Sequence, residues 1–215
     1  MDKKIIYHLC ADIGSDSKYY QENTDYDVRL IGKKIGVENA HPEGIVYGVI
    51  ANPPCTHFSI ARTCAKTPRD LQEGMRLVKE CLRFIWECQY NTPQDKRTCP
   101  LNFWVIENPA TGMLKYFLGK PTYQYSPEEF GSDFTKRTAL WGYFNPPPKP
   151  FMQFPIRKCI PLVSGGGRHD KNGSIKSPTA IMNYKGNFEE KRTQQMNDRS
   201  ICYEGFAKAF YEANR

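Results

Sequence analysis

Short apolar segments that alternate with an amphipathic helix constrain the fold of this chain more than any other feature. Residues 45–50 and 102–109 are apolar runs with the length and the flanking turns of buried strands. Between them, apolar residues recur at three- and four-residue spacing over 71–85, which predicts a helix with one core-facing stripe. Strands that alternate with helices are typical of a parallel, doubly wound sheet. We therefore predict an α/β fold with a mostly parallel sheet.

The helix between the two strands carries its own start signal. Thr67 is the predicted N-cap, Pro68 suits the first turn, and Asp70 completes a pattern close to a capping box. Cys81 and Cys88 are predicted to pack inside this helix. We assign the helix to the crossover between the strands, without a catalytic role. The predicted core-facing stripe consists of Leu71, Met75, Val78, Leu82 and Ile85.

The first of the two strands ends in the sequence Asn52-Pro53-Pro54-Cys55. Two prolines fix φ at the strand exit and remove two backbone donors, so the side chain that follows is held in a rigid loop. The loop is predicted to lie at the carboxyl end of the sheet, where open α/β sheets bind their ligands. Cys55 is therefore either an inert core thiol or a nucleophile in a cleft.

The second strand ends in Glu-Asn-Pro at 107–109, and a basic turn, Thr-Lys-Arg-Thr, follows at 135–138. An acid at a strand end is awkward in a core, because burying a charge is costly, but it is useful in a cleft. The basic turn leads into an aromatic-rich strand that reaches Trp141. The thiol of Cys55, the carboxyl group of Glu107 and the basic turn thus follow one another along the chain in that order.

Taken together, the Pro-Pro-Cys, Glu-Asn-Pro and Lys-Arg-Thr motifs resemble those of the DNA cytosine-5 methyltransferases, and above all the short, phage-type members of that family. The resemblance extends from about Ile5 to Trp141 and returns weakly at 206–210. It implies a Rossmann-like, class I methyltransferase fold, with S-adenosylmethionine as the cofactor and DNA as the substrate. It also implies a gene carried by a phage in a bacterial host.

The chemistry of this family explains why these residue types occur together. C5 of cytosine is a poor nucleophile until a group adds to C6, and the resemblance assigns that addition to the thiolate of Cys55. Glu107 matches the carboxyl group that acts at N3 and the N4 amino group, a role that requires a raised pKa. Arg137 matches the first arginine of the family's basic motif and is expected to support the active site. The target base must be flipped out of the DNA stack to reach these groups.

The cofactor half of the sequence departs from the family pattern. After the first strand, predicted over 4–10, Gly14 matches the second glycine of a Gly-x-Gly turn, but Asp12 occupies the first position. The second strand, predicted over 27–31, is followed by Gly-Lys-Lys rather than by an acid for the ribose hydroxyls. Asp12 and Asp16 are candidates to meet the ammonium group of the cofactor. The residues expected to bind the cofactor are Leu9, Asp12, Gly14, Ser15, Asp16, Asn52 and Pro53.

The same residues allow other interpretations. Asn-Pro-Pro followed by an aromatic is the signature of amino-methyltransferases, but Cys55 stands at the aromatic position and cannot stack on a base. Ala139 replaces the family's second arginine, which would hold the base carbonyl. An enzyme that modifies a free pyrimidine nucleotide, or that uses a modified one-carbon donor, therefore stays an alternative. A catalytically silent DNA-binding relative is a second alternative.

The positive charge of the chain is concentrated in one region. Residues 145–200 hold ten Lys and Arg against four Asp and Glu, which is six of the seven net positive charges. This region begins with a proline-rich spacer and follows the basic turn, where the resembled family carries its target-recognition region. Attraction to phosphates is the simplest use for such a segment. The residues expected to bind DNA are Lys136, Arg157, Lys158, Arg168, Lys171 and Lys176.

We therefore predict three units in a chain of 215 residues, which is long enough for one sizeable core and a small module. They are a methyltransferase-like catalytic domain over 1–144, a small basic recognition region over 145–200, and a helix within 201–215 that packs back on the catalytic domain. No apolar run approaches the roughly 18 residues that span a bilayer, and no signal peptide is apparent, so we expect a cytoplasmic protein. The eight cysteines include no Cys-x-x-Cys pair, so neither a disulfide framework nor a metal site is expected.

Overall fold

A six-stranded mixed sheet forms the centre of the protein. The strands are Lys4–Leu9 (β1), Tyr26–Ile31 (β2), Val46–Ala51 (β3), Phe103–Pro109 (β4), Tyr123–Tyr125 (β5) and Thr138–Tyr143 (β7), while Phe134–Thr135 (β6) and Ile160–Pro161 (β8) form a separate two-stranded pair. The computed structural model describes residues 2–11, 13–60, 67–90, 101–132, 134–150, 160–161 and 201–215.

The order of the strands in the main sheet is β2-β1-β3-β4-β7-β5. The pairs β1–β2, β1–β3 and β3–β4 are parallel, whereas β7 runs antiparallel to both β4 and β5. The described residues between β5 and β7 form a short 3-10 turn at Pro127–Phe130 and β6, and a parallel connection usually needs a crossover helix. The predicted α/β character is therefore confirmed, but the sheet is parallel over β1–β4 only.

Helices cover both faces of the sheet. The longest helix, Leu71–Tyr90 (α2), packs on one face against Leu9, Val49 and Ile106. The shorter helices, Lys18–Glu22 (α1) and Glu204–Asn214 (α4), pack on the other face. A four-residue helix at Lys115–Leu118 (α3) follows β4. Because successive side chains of a strand point to opposite faces, each central strand contributes to both cores.

Helix α2 begins at Leu71, later than the cap predicted at Thr67. Asp70 is its N-cap, because its Oδ1 accepts a hydrogen bond of 2.9 Å from the backbone N of Glu73. The backbone N of Asp70 donates to Nδ1 of His57, and Arg69 donates to the backbone oxygen of Ser59 at 2.7 Å. Residues 69–70 thus fasten the loop after β3 instead of forming the first helical turn.

The buried face of α2 agrees only in part with the predicted stripe. Val78 and Ile85 are buried as expected, and so are Cys81 and Cys88. Leu71, Met75 and Leu82 are only partly buried, and Gly74 and Phe84 take buried positions instead. Gly74 is required by close packing, since an added Cβ would lie 2.9 Å from Cβ of His57 and 3.0 Å from the ring of Phe58.

Helix α4 closes the opposite face of the sheet. Phe206 and Phe210 are buried there, and the ring of Phe206 stacks on Tyr125 at a centroid distance of 3.7 Å. The apolar spacing over 203–213 thus identifies a helix that the structure places at Glu204–Asn214. The division into three units stays a prediction, because most of 145–200 lies outside the described residues.

Candidate active site

A cavity of about 550 Å³ opens at the carboxyl ends of β1, β2 and β3. Strand β2 lies on one side of β1, and β3 lies on the other side, so the direction of the strand order reverses between β1 and β3. Ligands of open α/β sheets bind at such a switch point, and the volume suits a nucleotide-sized ligand. The lining includes eight residues singled out from the sequence: Gly14, Ser15, Asp16, Asn52, Pro53, Cys55, Glu107 and Lys136.

The loop that carries Cys55 is fixed to both neighbouring strands. The backbone N of Asn52 donates to the oxygen of Leu9 at 3.0 Å, and Nδ2 of Asn108 donates to the oxygen of Pro53 at 3.0 Å. Beyond the cysteine, the backbone of Phe58 closes a turn onto the oxygen of Cys55 at 2.9 Å. The two prolines restrict this loop further, so Cys55 is held half-buried at the cavity.

Glu107 and Lys136 form an ion pair in the same cavity. The Nζ atom of Lys136 lies 3.9 Å from Oε1 of Glu107, and only 19% and 18% of the two side chains are exposed. The backbone around Lys136 is held by Ser126, whose Oγ accepts from its N at 3.2 Å, and by Thr138, whose Oγ1 donates to its oxygen at 2.9 Å. A thiol, a carboxyl group and a cation therefore share one cavity.

Arg137, the expected active-site support, is not part of the described lining of this cavity. It is exposed, and its backbone oxygen accepts a hydrogen bond of 2.9 Å from the N of Ala110. Lys136, which was expected to bind DNA, lines the cavity. Adjacent residues of an extended segment point to opposite sides, so the register beside β4 decides which of the two enters the cavity. The structure therefore brings Lys136, rather than Arg137, into the cavity with Cys55 and Glu107.

The charges in the cavity influence each other's protonation. Burial raises the pKa of the Glu107 carboxyl group, and the ammonium group of Lys136 offsets only part of this effect. Burial and the charge of Glu107 raise the pKa of the Cys55 thiol, whereas Lys136 lowers it. Burial alone would lower the pKa of Lys136, but the carboxylates of Glu107 and Asp16 outweigh burial and raise it. Glu107 therefore keeps a proton to a higher pH than an exposed glutamate, while Lys136 stays charged.

The turn after β1 forms the other half of the cavity. Gly14 adopts a left-handed conformation, with φ of 74°, and an added Cβ would lie 2.6 Å from Nε2 of Gln21. The Oδ2 atom of Asp16 accepts from Nδ2 of Asn52 at 2.8 Å, which joins this turn to the end of β3. The Oδ1 atom of Asn52 is buried and has no hydrogen-bond partner among the described residues. A polar acceptor is thus available at the junction of the two halves.

Two of the predicted cofactor residues do not appear in the cavity lining. Leu9 is fully buried in the core against α2 and contributes only its backbone oxygen, which holds Asn52. Asp12 lies outside the described residues. Gly32 and Lys33 do line the cavity, so the end of β2 reaches it without an acid at the expected position.

An acid that the sequence pattern did not single out lines the cavity beyond β2. Glu38 lies in a 3-10 turn at Val37–Asn39, after a left-handed Gly36 reverses the chain. Its Oε1 atom lies 3.5 Å from Nη1 of Arg76 on α2, and its side chain is 41% exposed. The signal in the sequence is weak, because the acid follows the strand only after Gly-Lys-Lys-Ile-Gly. A turn over 32–36, in which the backbone N atoms of Ile35 and Gly36 donate to the oxygen of Gly32, precedes it and is not apparent from the strand pattern.

Two cysteines near the site were also not predicted. Cys10 lines the cavity at the end of β1 with φ of 54°, and its Sγ lies 3.8 Å from that of Cys81. Cys202 is buried, and its backbone N donates to Oγ of Ser15 at 3.0 Å. It lines a small polar recess shared with Asp16 and other cavity residues. Nothing local to 201–203 indicates this contact, which joins the chain's last segment to its first turn.

The remaining predicted DNA contacts, Arg157, Lys158, Arg168, Lys171 and Lys176, lie outside the described residues. Within the described part of the chain, no helix is long and apolar enough to cross a membrane. The same described residues contain no group of three or more His, Cys, Asp and Glu side chains that could hold a metal ion.

Comparisons with known proteins do not assign the chain to a family. No model of a known protein family matches the sequence. A search of curated proteins also finds no significant match.

Proposed function

We propose that this protein transfers a methyl group to C5 of cytosine in DNA, with Cys55 as the nucleophile and S-adenosylmethionine as the methyl donor. The observation that carries the proposal is the meeting of Cys55, Glu107 and Lys136 in one cavity at the strand-order reversal. Residues distant along the chain converge there, as a reaction at one pyrimidine ring requires. A Rossmann-like methyltransferase fold is the finer assignment, supported by the parallel β1–β4 layer with helices on both faces.

We call the half of the cavity at β3 and β4 the base half. It contains groups suited to C6 and to N3 of the cytosine ring. The thiolate of Cys55 adds to C6, which forms an S–C6 bond and moves the electron pair of the C5–C6 double bond toward C5 and N3. Glu107 donates its proton to N3 as negative charge develops there, and its raised pKa keeps that proton available. Solvent accepts the thiol proton. Burial raises the pKa of the Cys55 thiol overall, and the positive charge of Lys136 offsets part of this effect in favour of the thiolate.

The second stage restores the aromatic ring. C5 of the adduct receives the methyl group that the cofactor supplies when it is bound. Loss of the C5 proton to solvent then returns an electron pair to the C5–C6 bond and expels the Cys55 thiolate. The proton at N3 returns to Glu107, so the protein ends in its starting state. Half-burial of Cys55 limits competing reactions of the thiolate with water-borne electrophiles.

The other half of the cavity has donors and acceptors that fit the cofactor. The tight turn at Gly14 lets backbone approach a ligand closely, and Asp16 offers a carboxylate for the ammonium group. The buried Oδ1 of Asn52 is an acceptor for a ligand N–H or O–H group. Glu38 would supply the carboxylate for the ribose hydroxyls that the end of β2 lacks. These residues would hold the cofactor in the cavity that Cys55 also lines.

Nucleoside mass spectrometry tests the proposal directly. Duplex DNA is incubated with the protein and S-adenosylmethionine, digested to nucleosides, and examined for 5-methyldeoxycytidine. We expect this product from the wild type and none from Cys55→Ser, with Cys88→Ala as a control that removes a thiol outside the cavity. Product from Cys55→Ser would refute the role of Cys55 as the nucleophile. A wild type that methylates free deoxycytidine monophosphate, but not DNA, would establish the nucleotide-modifying alternative.

A further inference from the structure

Residues 110–120 lie directly against the loop that carries Cys55. The backbone N of Met113 donates to the oxygen of Phe58 at 2.9 Å, and the ring of Phe117 packs edge-on against that of Phe58 at a centroid distance of 6.1 Å. Gly112 permits this approach, because an added Cβ would lie 3.3 Å from the oxygen of Phe58. The segment that follows β4 is therefore part of the rim beside the nucleophile.

The outer side of this segment is basic and aromatic. Tyr116 is 73% exposed and Phe117 46% exposed, so two neighbouring aromatic rings face solvent here. Lys115 and Lys120 are exposed beside them, and Nζ of Lys115 lies 5.5 Å from the ring centroid of Tyr116. The chain contains no acid between Glu107 and Glu128. We call residues 113–120 the rim surface.

Two further exposed cations border the same loop. Arg137 is joined to the start of the segment through the hydrogen bond from Ala110. Arg69 donates to the backbone oxygens of His57 at 3.2 Å and Ser59 at 2.7 Å. Exposed cations thus border the loop at 53–60, which itself has no Asp, Glu, Lys or Arg, and the exposed acid Asp70 contacts this loop through its backbone N. This distribution is complementary to a polyanion.

We propose that the rim surface, together with Arg137, binds the DNA backbone and a base or sugar next to the flipped cytosine. The inference rests on the proposed function, since it is that function which places a DNA strand at Cys55. Lys115, Lys120 and Arg137 contact phosphates, and the exposed ring of Tyr116 packs against a neighbouring base or sugar. The exposed position of Arg137 leaves its side chain accessible for such a contact with DNA. Part of the DNA-binding surface therefore lies outside the basic region at 145–200.

Fluorescence anisotropy with a labelled duplex, measured at several salt concentrations, tests this surface. Each phosphate contact contributes about 0.9 to the slope of log affinity against log salt. The triple variant Lys115→Gln, Lys120→Gln, Arg137→Gln should therefore lower the slope by about 2 to 3 and weaken binding about tenfold or more near physiological salt. Tyr116→Ala should weaken binding about fivefold or more without changing the slope, because stacking is not an ionic contact.

Matched controls lie on α2. Lys79→Gln and Tyr90→Ala remove an exposed lysine and an exposed tyrosine; Tyr90 ends the helix, far from the cysteine loop. Both controls should bind DNA like the wild type. Rim variants that bind DNA with the wild-type affinity and slope would overturn the inference, and so would controls that lose as much affinity as the rim variants.

Methyl transfer measured on the same samples separates this inference from the proposed function. Rim variants should raise KM for DNA while kcat at saturating DNA stays within about twofold of the wild type, because they touch no reacting atom. Cys55→Ser should bind DNA normally and form no product. If the wild type makes product and the rim variants bind DNA as the wild type does, only the DNA-binding role of the rim surface is refuted. If the wild type binds DNA but makes no product, only the proposed methyltransferase activity is refuted.

Discussion

The two halves of the cavity are built in different ways. The half at β3 and β4 is made of reactive side chains, with Cys55, Glu107 and Lys136 within one charge network. The half at β1 and β2 is made mainly of backbone turns at Gly14 and Gly36, supplemented by single polar side chains. Chemistry at a pyrimidine ring demands particular functional groups, whereas a cofactor can be held by several arrangements of donors and acceptors.

This difference explains where the chain departs from the family that it resembles. The thiol of Cys55 and the carboxyl group of Glu107 both line the cavity, as expected, and the proposed mechanism needs a thiolate for the addition to C6. On the cofactor side, the acid after β2 is missing, and Glu38 approaches the cavity from a later turn. In the proposed function, Glu38 would make the cofactor contact for which the end of β2 has no acid. The two halves should respond differently to substitution.

The largest effect is expected from the acid of the base half. Glu107→Gln removes the proton donor at N3 while it keeps the shape of the side chain, so kcat should fall about 10²- to 10⁴-fold. Affinity for the cofactor should change little. Steady-state methyl transfer with tritiated S-adenosylmethionine measures both. Glu73→Gln, an exposed acid on α2, is the matched control, and a fall below tenfold for Glu107→Gln would argue against proton donation.

An effect of intermediate size is expected in the cofactor half. A hydrogen bond to a charged group contributes about 1.5 to 3 kcal/mol, so Asp16→Asn and Glu38→Gln should each weaken cofactor binding about tenfold or more. Isothermal titration calorimetry with S-adenosylmethionine measures the affinity directly. Asp25→Asn, an exposed acid outside the cavity lining, is the control. Unchanged affinity in both cavity variants would mean that the cofactor lies elsewhere.

Thiol reactivity separates the two neighbours in the basic turn. Lys136→Gln removes the cation that lowers the pKa of Cys55, so alkylation of this thiol at about pH 7.5 should slow about threefold to tenfold. Arg137→Gln is the control, because it removes an exposed charge. Above the raised pKa of Glu107, where its side chain is ionised, Glu107→Gln should speed the same reaction, since the carboxylate raises the thiol pKa. Peptide mass spectrometry after brief iodoacetamide treatment measures the rate, and equal rates in all variants would contradict the charge network.

The smallest effect concerns stability and has a defined pH dependence. The pKa of Glu107 is raised above its ordinary value of 4.5 by burial, so ionising it destabilises the folded state. Stability should fall as the pH rises from about 4.5 through the raised pKa, by about 1.4 kcal/mol for each pH unit between the unfolded and folded pKa values. Glu107→Gln should remove this loss and be more stable than the wild type at about pH 8. Urea unfolding at about pH 4.5 and at about pH 8 tests the sign of this change in stability. If folding lowered the pKa of Glu107, stability would rise with pH instead.

Much of the fold could be predicted from local patterns. The strands predicted over 27–31, 45–50 and 102–109 are observed at Tyr26–Ile31, Val46–Ala51 and Phe103–Pro109. Apolar runs bounded by glycine and proline identify such strands because both the burial and the breaks are local properties. The predicted start of α2 was wrong for a nonlocal reason. Arg69 and Asp70 bind the cysteine loop, and no pattern around Thr67 contains that partner.

The antiparallel edge and the inner cation also required the tertiary structure. The pairing of β7 with β4 depends on two segments distant in sequence, and it sets the register that turns Lys136 inward and Arg137 outward. A shift by one residue would reverse their places, and the sequence Lys-Arg-Thr is equally compatible with either arrangement. Residue identity therefore predicts that a cation serves the site, but not which one.

By itself, the sequence determined the reactive groups and the strand ends that carry them. A thiol after two prolines and an acid before a proline retain their chemistry wherever the chain places them. Only the tertiary structure decided which groups share a cavity, because strand order, register and the turn at Gly36 bring together residues that are far apart in the chain. The shifted pKa of Glu107 belongs to that second kind of information, since burial and the field of Lys136 exist only in the folded protein.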